Sequence, residues 1–329
     1  MLYIMFNDRL NRMLFGFFTL TVLGVLYSKY DEKNRLSDEE ATYKKIREYL
    51  LNESSLAKSK KPLLWIHVPY SINARKWKDF GSRNTEELNQ PYLYLCVKSI
   101  IDKCGNDFNI CLIDDESFSK LIPDWTINVS KLPENLLENI RTIALCKLVY
   151  YYGGLITPIN TLCIKSLMPL YSEIKNVNKP FFLEDTSKEI NVSSEVRTFP
   201  SFQMFGCEKE NDIMKIIINI LEQSASTDFT SESKFLGQNR RHLYELTQNG
   251  KIYLIDGRSM GIKDEDNNEI TIENLFENQN IQLSLKCNAI VIPREELIKR
   301  SKYSWFVQSN VQQILSSKFA LAKFLQTSV

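Results

Sequence analysis

Histidine is nearly missing from this chain. Its 329 residues include two, His67 and His242, and no Cys-x-x-Cys pair or Cys/His cluster accompanies them. That is not the pattern of a zinc site, which gathers nitrogen and sulfur ligands at short spacing. There is no Gly-x-Ser-x-Gly elbow and no P-loop, so two common hydrolase and nucleotide-binding signatures are missing. Net charge is small: 41 basic residues face 40 acidic ones. No basic footprint for nucleic acid is present, and no internal repeat or low-complexity tract appears. What remains is ordinary globular material, 43% hydrophobic and 25% charged, enough for a sizeable core in one large or two ordinary domains. The seven cysteines do not fix a compartment. Cys96, Cys146 and Cys163 lie in apolar runs as small core residues.

The N-terminus stands apart. Met13–Tyr27 is uncharged and follows Arg9 and Arg12. It is short for a membrane span, which needs roughly 20 apolar residues. A signal-peptide core would have this length, but no small-x-small cleavage site follows, and a buried helix would carry a polar face. The balance favours an uncleaved signal anchor over residues 13–28. Arg9 and Arg12 before it, with Asp31 and Glu32 after it, place the tail 1–12 in the cytosol by the positive-inside rule. Residues 29–61 then read as a stem, and 62–329 as a lumenal or external domain. Sequons at Asn52, Asn128 and Asn191 permit that topology.

The centre of the chain is Arg141–Leu162. Ile143, Leu145, Leu148, Val149 and Tyr152 follow a helical period. Gly153-Gly154 ends the helix, Leu155-Ile156-Thr157 reads as a buried strand, and Thr157-Pro158-Ile159-Asn160 forms a polar tip. In α/β proteins such a tip is where ligand chemistry sits. Around it, strands are expected at 62–69, 108–113, 180–183, 201–205, 252–255 and 289–293. Helices are expected at 89–103, in a pair from Pro133 to Gly153, in a return helix at 165–170, at 213–223, and in one amphipathic helix over 305–324. Alternating strands and helices argue an α/β domain. His67 ends the first strand, where a structural role outweighs a catalytic one. Asp114-Asp115-Glu116-Ser117 ends the second, where helix capping and ligand binding are both open.

The order of these pieces resembles the Asp-x-Asp sugar transferases related to yeast α-1,6-mannosyltransferases and capsular polysaccharide enzymes. The resemblance rests on Leu64-Trp65-Ile66-His67, the acidic strand end Asp114–Ser117, Leu148–Gly154 and Ser201–Gly206. It implies a GT-A-like, Rossmann-like single domain behind a type II anchor, acting on a nucleotide-sugar and a glycan or protein acceptor. The residues it assigns to the nucleotide-sugar are Asp114, Asp115, Gly153, Gly154 and Asn160. A divalent cation, Mn or Mg, is implied only if the protein is active, with Asp114, Asp115, Glu184 and Asp185 as the remaining carboxylates. The departure falls on the Asp-x-Asp itself, replaced by Pro158-Ile159-Asn160. The family's helix Asp and Arg align with Thr142 and Leu145, and Arg141 lies one turn away. A catalytically inactive relative serving as a structural or interaction protein is therefore the competing expectation. The segments Asn89–Leu95 and Ser233–Gly237 also resemble anchored proteins of large DNA viruses.

Overall fold

A computed structural model describes residues 61–69, 90–186, 198–227, 232–277 and 281–329. All belong to the second of the two units into which the chain divides, Met1–Glu53 and Ser54–Val329. The expected tail, anchor and nearly all of the stem lie outside the described residues, as do the sequons at Asn52 and Asn191. Among the described residues, no helix is long and apolar enough to cross a membrane.

The fold is a mixed α/β unit around a mostly parallel six-stranded sheet. Its strands are β1 (Leu63–His67), β2 (Asn109–Ile113), β3 (Gly154–Ile156), β5 (Phe181–Thr186), β6 (Thr198–Cys207) and β7 (Tyr253–Ile255). Their spatial order is β2-β1-β3-β6-β5-β7. β1 pairs in parallel with β2 and β3, and β5 in parallel with β7, while β6 runs antiparallel to β3 and β5. Five strands therefore end at one edge. A small second sheet joins β4 (Thr161–Cys163) to β8 (Ala289–Val291), antiparallel.

Residues alternate across β1 with period two, and both faces are dry. Trp65 belongs to one core cluster with Ile113, Ile156, Phe182 and Phe205. Leu64, Ile66, Ile110 and Leu112 on the other face are equally buried. Helix α1 (Pro91–Cys104) links β1 to β2, while α2 (Ser117–Leu121) and α3 (Glu134–Tyr152) link β2 to β3. Right-handed crossovers put α1 and α3 on opposite faces. α3 packs Ile143, Ala144, Cys146, Leu148 and Val149 into the Trp65 cluster, with Met214, Ile217, Ile218 and Leu221 from the helix Asp212–Thr227.

Gly153 and Gly154 turn α3 into β3 with φ of +73° and +106°, a region that side chains disfavour. A Cβ on Gly154 would overlap the Leu63 carbonyl. Trp65 Nε1 donates to the Gly153 carbonyl at 3.0 Å, fixing the turn against β1.

Several expectations need correction. One helix, not a pair, leads to Gly153. The return helix begins later, at Met168–Lys175 with Pro169 in its first turn, because Thr161–Cys163 is first used as β4. The expected strand 201–205 extends to Thr198–Cys207, since Gly206 pairs with both Leu155 and Phe181. Glu232–Gln248 is a helix where none was expected. The single terminal helix is three: Ser304–Gln308, Val311–Ser316 and Ala320–Ser328. Asn310 accepts from the Gln313 amide at 2.8 Å and the Gln313 side chain accepts from Asn310 N at 3.0 Å. That reciprocal cap starts a new helix inside an otherwise continuous apolar pattern.

Candidate functional site

The chain leaves β1 for β2 on one side and returns to β3 on the other. The strand order therefore reverses at the β1/β3 boundary, where open α/β sheets form a crevice outside the strand C-termini. His67 stands at that edge from β1, Asp114 and Asp115 from β2, and Thr157 and Pro158 from β3. Thr157 N donates to the Trp65 carbonyl at 2.9 Å and Val68 N to the Ile113 carbonyl at 2.8 Å. The strand ends are thus held level. Residues 70–89, which follow β1, lie outside the described residues.

The most concentrated chemistry at this edge surrounds Asp115. Arg141 reaches it from α3 with two parallel hydrogen bonds, Nε to Oδ1 at 2.9 Å and Nη2 to Oδ2 at 2.6 Å. His67 Nε2 lies 2.9 Å from Oδ1, and its ring stacks on Phe118 with centroids 5.2 Å apart. Glu138, one turn before Arg141, accepts from Nη1 at 2.6 Å. The Arg141, His67 and Asp115 side chains are only 5%, 10% and 13% exposed. Burial pushes the Asp115 carboxyl up, but hydrogen bonds and charge from His67 and Arg141 outweigh it and hold the group down at about 2. The bidentate fork is the geometry in which arginine binds carboxylate best. Sequence spacing alone hides this pairing, since Asp115 and Arg141 are 26 residues apart.

The same matching recurs along the edge. Glu184 accepts from Gly257 N at 2.6 Å and pairs with Lys263 Nζ at 2.7 Å, both side chains 10% exposed. Asp185 lies 3.6 Å from Arg240. Asp256, just beyond β7, takes Arg258 Nε at 2.8 Å, and that hydrogen bond lowers its pKa. Asp114 is exposed and closes the turn that leads into α2, accepting from Ser117 N at 2.8 Å and Ser117 Oγ at 2.6 Å.

These contacts decide whether a divalent cation fits. Hard cations need several free oxygen ligands converging on one point. Here Asp115 is held by Arg141, Glu184 by Lys263, and Asp114 by the turn into α2. Among the described residues, no three His, Cys, Asp or Glu side chains converge to hold a metal. The four carboxylates named from the sequence, Asp114, Asp115, Glu184 and Asp185, are therefore not brought together as a metal site.

The five residues assigned to a nucleotide-sugar also divide. Asp114 and Asp115 lie at the crevice. Asn160 lies past it, where its side-chain amide donates to the Ile292 carbonyl and its own carbonyl accepts from Ile292 N at 3.0 Å. It clasps β4 to β8. Gly153 and Gly154 lie at the opposite edge, at the start of β3, and serve the turn. Sequence reasoning missed Lys263 and the Asp256–Arg258 pair. For Asp256 the signal was present, an acidic residue directly after a strand.

No family model matches the chain, and no curated protein matches its sequence. Among solved structures, it is similar to the galactosyltransferase LgtC in complex with donor and acceptor sugar analogs. Identity is 16%, coverage is 60% of this chain and 74% of that one, and the TM-score is 0.32. The apo glycosyltransferase GlyE of Streptococcus pneumoniae TIGR4 is 10% identical, over 61% of this chain and 46% of its own, with a TM-score of 0.34. At these scores the likeness is too loose to define the fold.

Proposed function

We propose that this chain is a glycosyltransferase-like protein of GT-A type, binding a nucleotide-sugar at the β1/β3 crevice without a cation held by an Asp-x-Asp motif. One observation carries the reading. The helix–Gly153-Gly154–strand unit delivers the tip of β3 to the crevice beside His67 and Asp115, where a ligand belongs. The two positions that resemble the metal motif are Pro158 and Asn160, and the Asn160 amide is committed to Ile292. Scaffold and site have separated.

A second reading, an inactive relative acting as an interaction protein, is favoured by the matched charges at the edge. Among the described residues at this edge, Arg141, Arg240, Arg258 and Lys263 each pair with a carboxylate, so meeting a diphosphate costs each of them that pair. Both readings are separated by titrating the full chain with a panel of UDP- and GDP-sugars by calorimetry while following nucleotide release. Binding with release supports the transferase; binding without release supports the inactive relative; no binding to any donor sinks the first reading.

Residues 13–28 complete the proposal as a signal anchor, with the α/β unit lumenal or external. Resistance of the full chain to alkaline carbonate extraction, lost when residues 1–29 are removed, is the expected result. Release of the full chain into the supernatant contradicts it.

A further inference from the structure

Resting on the nucleotide-sugar reading above, we propose that His67 takes the proton of the attacking hydroxyl during sugar transfer, on its Nδ1 atom. His67 ends β1 at the crevice, and two contacts fix its ring. Nε2 lies 2.9 Å from Asp115 Oδ1. One ring face stacks on Phe118 of α2, with centroids 5.2 Å apart and planes inclined by 25°. Phe118 is backed in turn by Trp125, at 5.9 Å.

The Asp115 carboxyl decides which nitrogen carries the hydrogen. Arg141 grips both of its oxygens, Nε on Oδ1 at 2.9 Å and Nη2 on Oδ2 at 2.6 Å. Held at about 2 despite its burial, the carboxyl is ionised at neutral pH and can only accept hydrogen bonds. His67 therefore donates to it from Nε2, and the neutral ring keeps its lone pair on Nδ1. Among the described residues, Nδ1 has no hydrogen-bond partner. A histidine anchored through one nitrogen to a buried carboxylate, with the other nitrogen left for a ligand, is the arrangement of an oriented base. The charges agree with that role. Arg141 is shared between Asp115 and Glu138, so this cluster holds one positive and two negative groups. A proton arriving on His67 balances them.

The hydroxyl oxygen of the acceptor forms a bond to the anomeric carbon as the bond from that carbon to the diphosphate oxygen breaks. The diphosphate leaves with the electron pair. The hydroxyl proton moves to Nδ1, Asp115 holds the resulting imidazolium, and the proton then passes to solvent. With water as the attacking hydroxyl, the same step is hydrolysis of the donor.

Two measurements on the full chain test the role. The first needs no substrate: long-range proton–nitrogen correlation spectra of the isotope-labelled protein at pH 7. The chain has only two histidines, and His242→Gln assigns them. The expected result is a His67 ring protonated on Nε2 alone; a hydrogen on Nδ1 overturns the proposal. The second follows nucleotide release from the UDP- and GDP-sugar panel in His67→Gln. Glutamine keeps an N–H donor for Asp115 but offers no nitrogen that accepts a proton. The turnover number should fall about 10²–10⁴-fold, with the KM for donor and the urea midpoint unchanged. Release at the natural rate in His67→Gln overturns the role and leaves the transferase reading standing. Donor binding without release, or no binding to any donor, removes that reading and the role with it.

Discussion

Replacing Arg141 by Met removes the fork that holds Asp115 while keeping most of the side-chain volume in α3. The magnitude follows from the carboxyl's pKa of about 2. Against roughly 3.9 in an unfolded chain, and at about 1.4 kcal/mol per pH unit, its ionised form contributes roughly 2–3 kcal/mol to folding. Asp115 is 13% exposed, so screening takes little of this. Breaking a buried pair from one side costs about 3–5 kcal/mol, and because His67 remains, the lower end applies. Urea unfolding at pH 7 should show Arg141→Met less stable by about 3 kcal/mol. Asp115→Asn leaves Arg141 with Glu138 and should lose less. The double variant should lose less than the sum of the singles, since both act on one pair. The sign with pH is fixed: a depressed carboxyl stabilises above its unfolded pKa and loses that contribution as pH falls through its folded one. The gap between natural protein and Asp115→Asn should therefore narrow between about pH 4 and pH 2. A loss under about 0.5 kcal/mol for Arg141→Met, or a gap that ignores pH, refutes the reasoning.

Three further outcomes are expected. Gly154→Ala forces a Cβ into the Leu63 carbonyl at a φ of +106° and should lower stability by about 3 kcal/mol or more; an unchanged melting temperature contradicts the described turn. Asn160→Asp sets a carboxylate against the Ile292 carbonyl and should cost about 1–3 kcal/mol, readable in the same urea assay. Restoring carboxylates at 158 and 160 is then not structurally neutral. Asn128 is exposed, so a lumenal domain made in secretory cells should lose mass at that sequon on enzymatic deglycosylation; an unmodified Asn128 argues against that topology.

The strands were legible where a local apolar run filled both faces of the sheet, as in Leu63–Ile66 and Ile110–Ile113. Gly153-Gly154 announced its turn because the conformations required there exclude other residues. β4 was not legible, since Thr161-Leu162-Cys163 is too short to show a period and needs β8, far along the chain, to become a strand. The terminal helix broke because Asn310 and Gln313 satisfy each other's backbone groups, a preference that hydrophobic periodicity does not register. At the site, sequence placed Asp114 and Asp115 correctly at a strand end. It read Arg141 as a residue one turn out of place, whereas in three dimensions that turn brings it to Asp115. Ligand and ion-pair readings of a strand-end carboxylate look identical until the partner is located, and the partners here come from other elements.

The central claim is that Asp115, Glu184 and Asp185 are paired with the protein's own cations and that, among the described residues, no metal site forms at this edge. It is tested most directly by titrating the full chain with nucleotide-sugar in EDTA and again in excess Mn²⁺. The account predicts the same affinity in both. Binding that appears only with Mn²⁺ would contradict it.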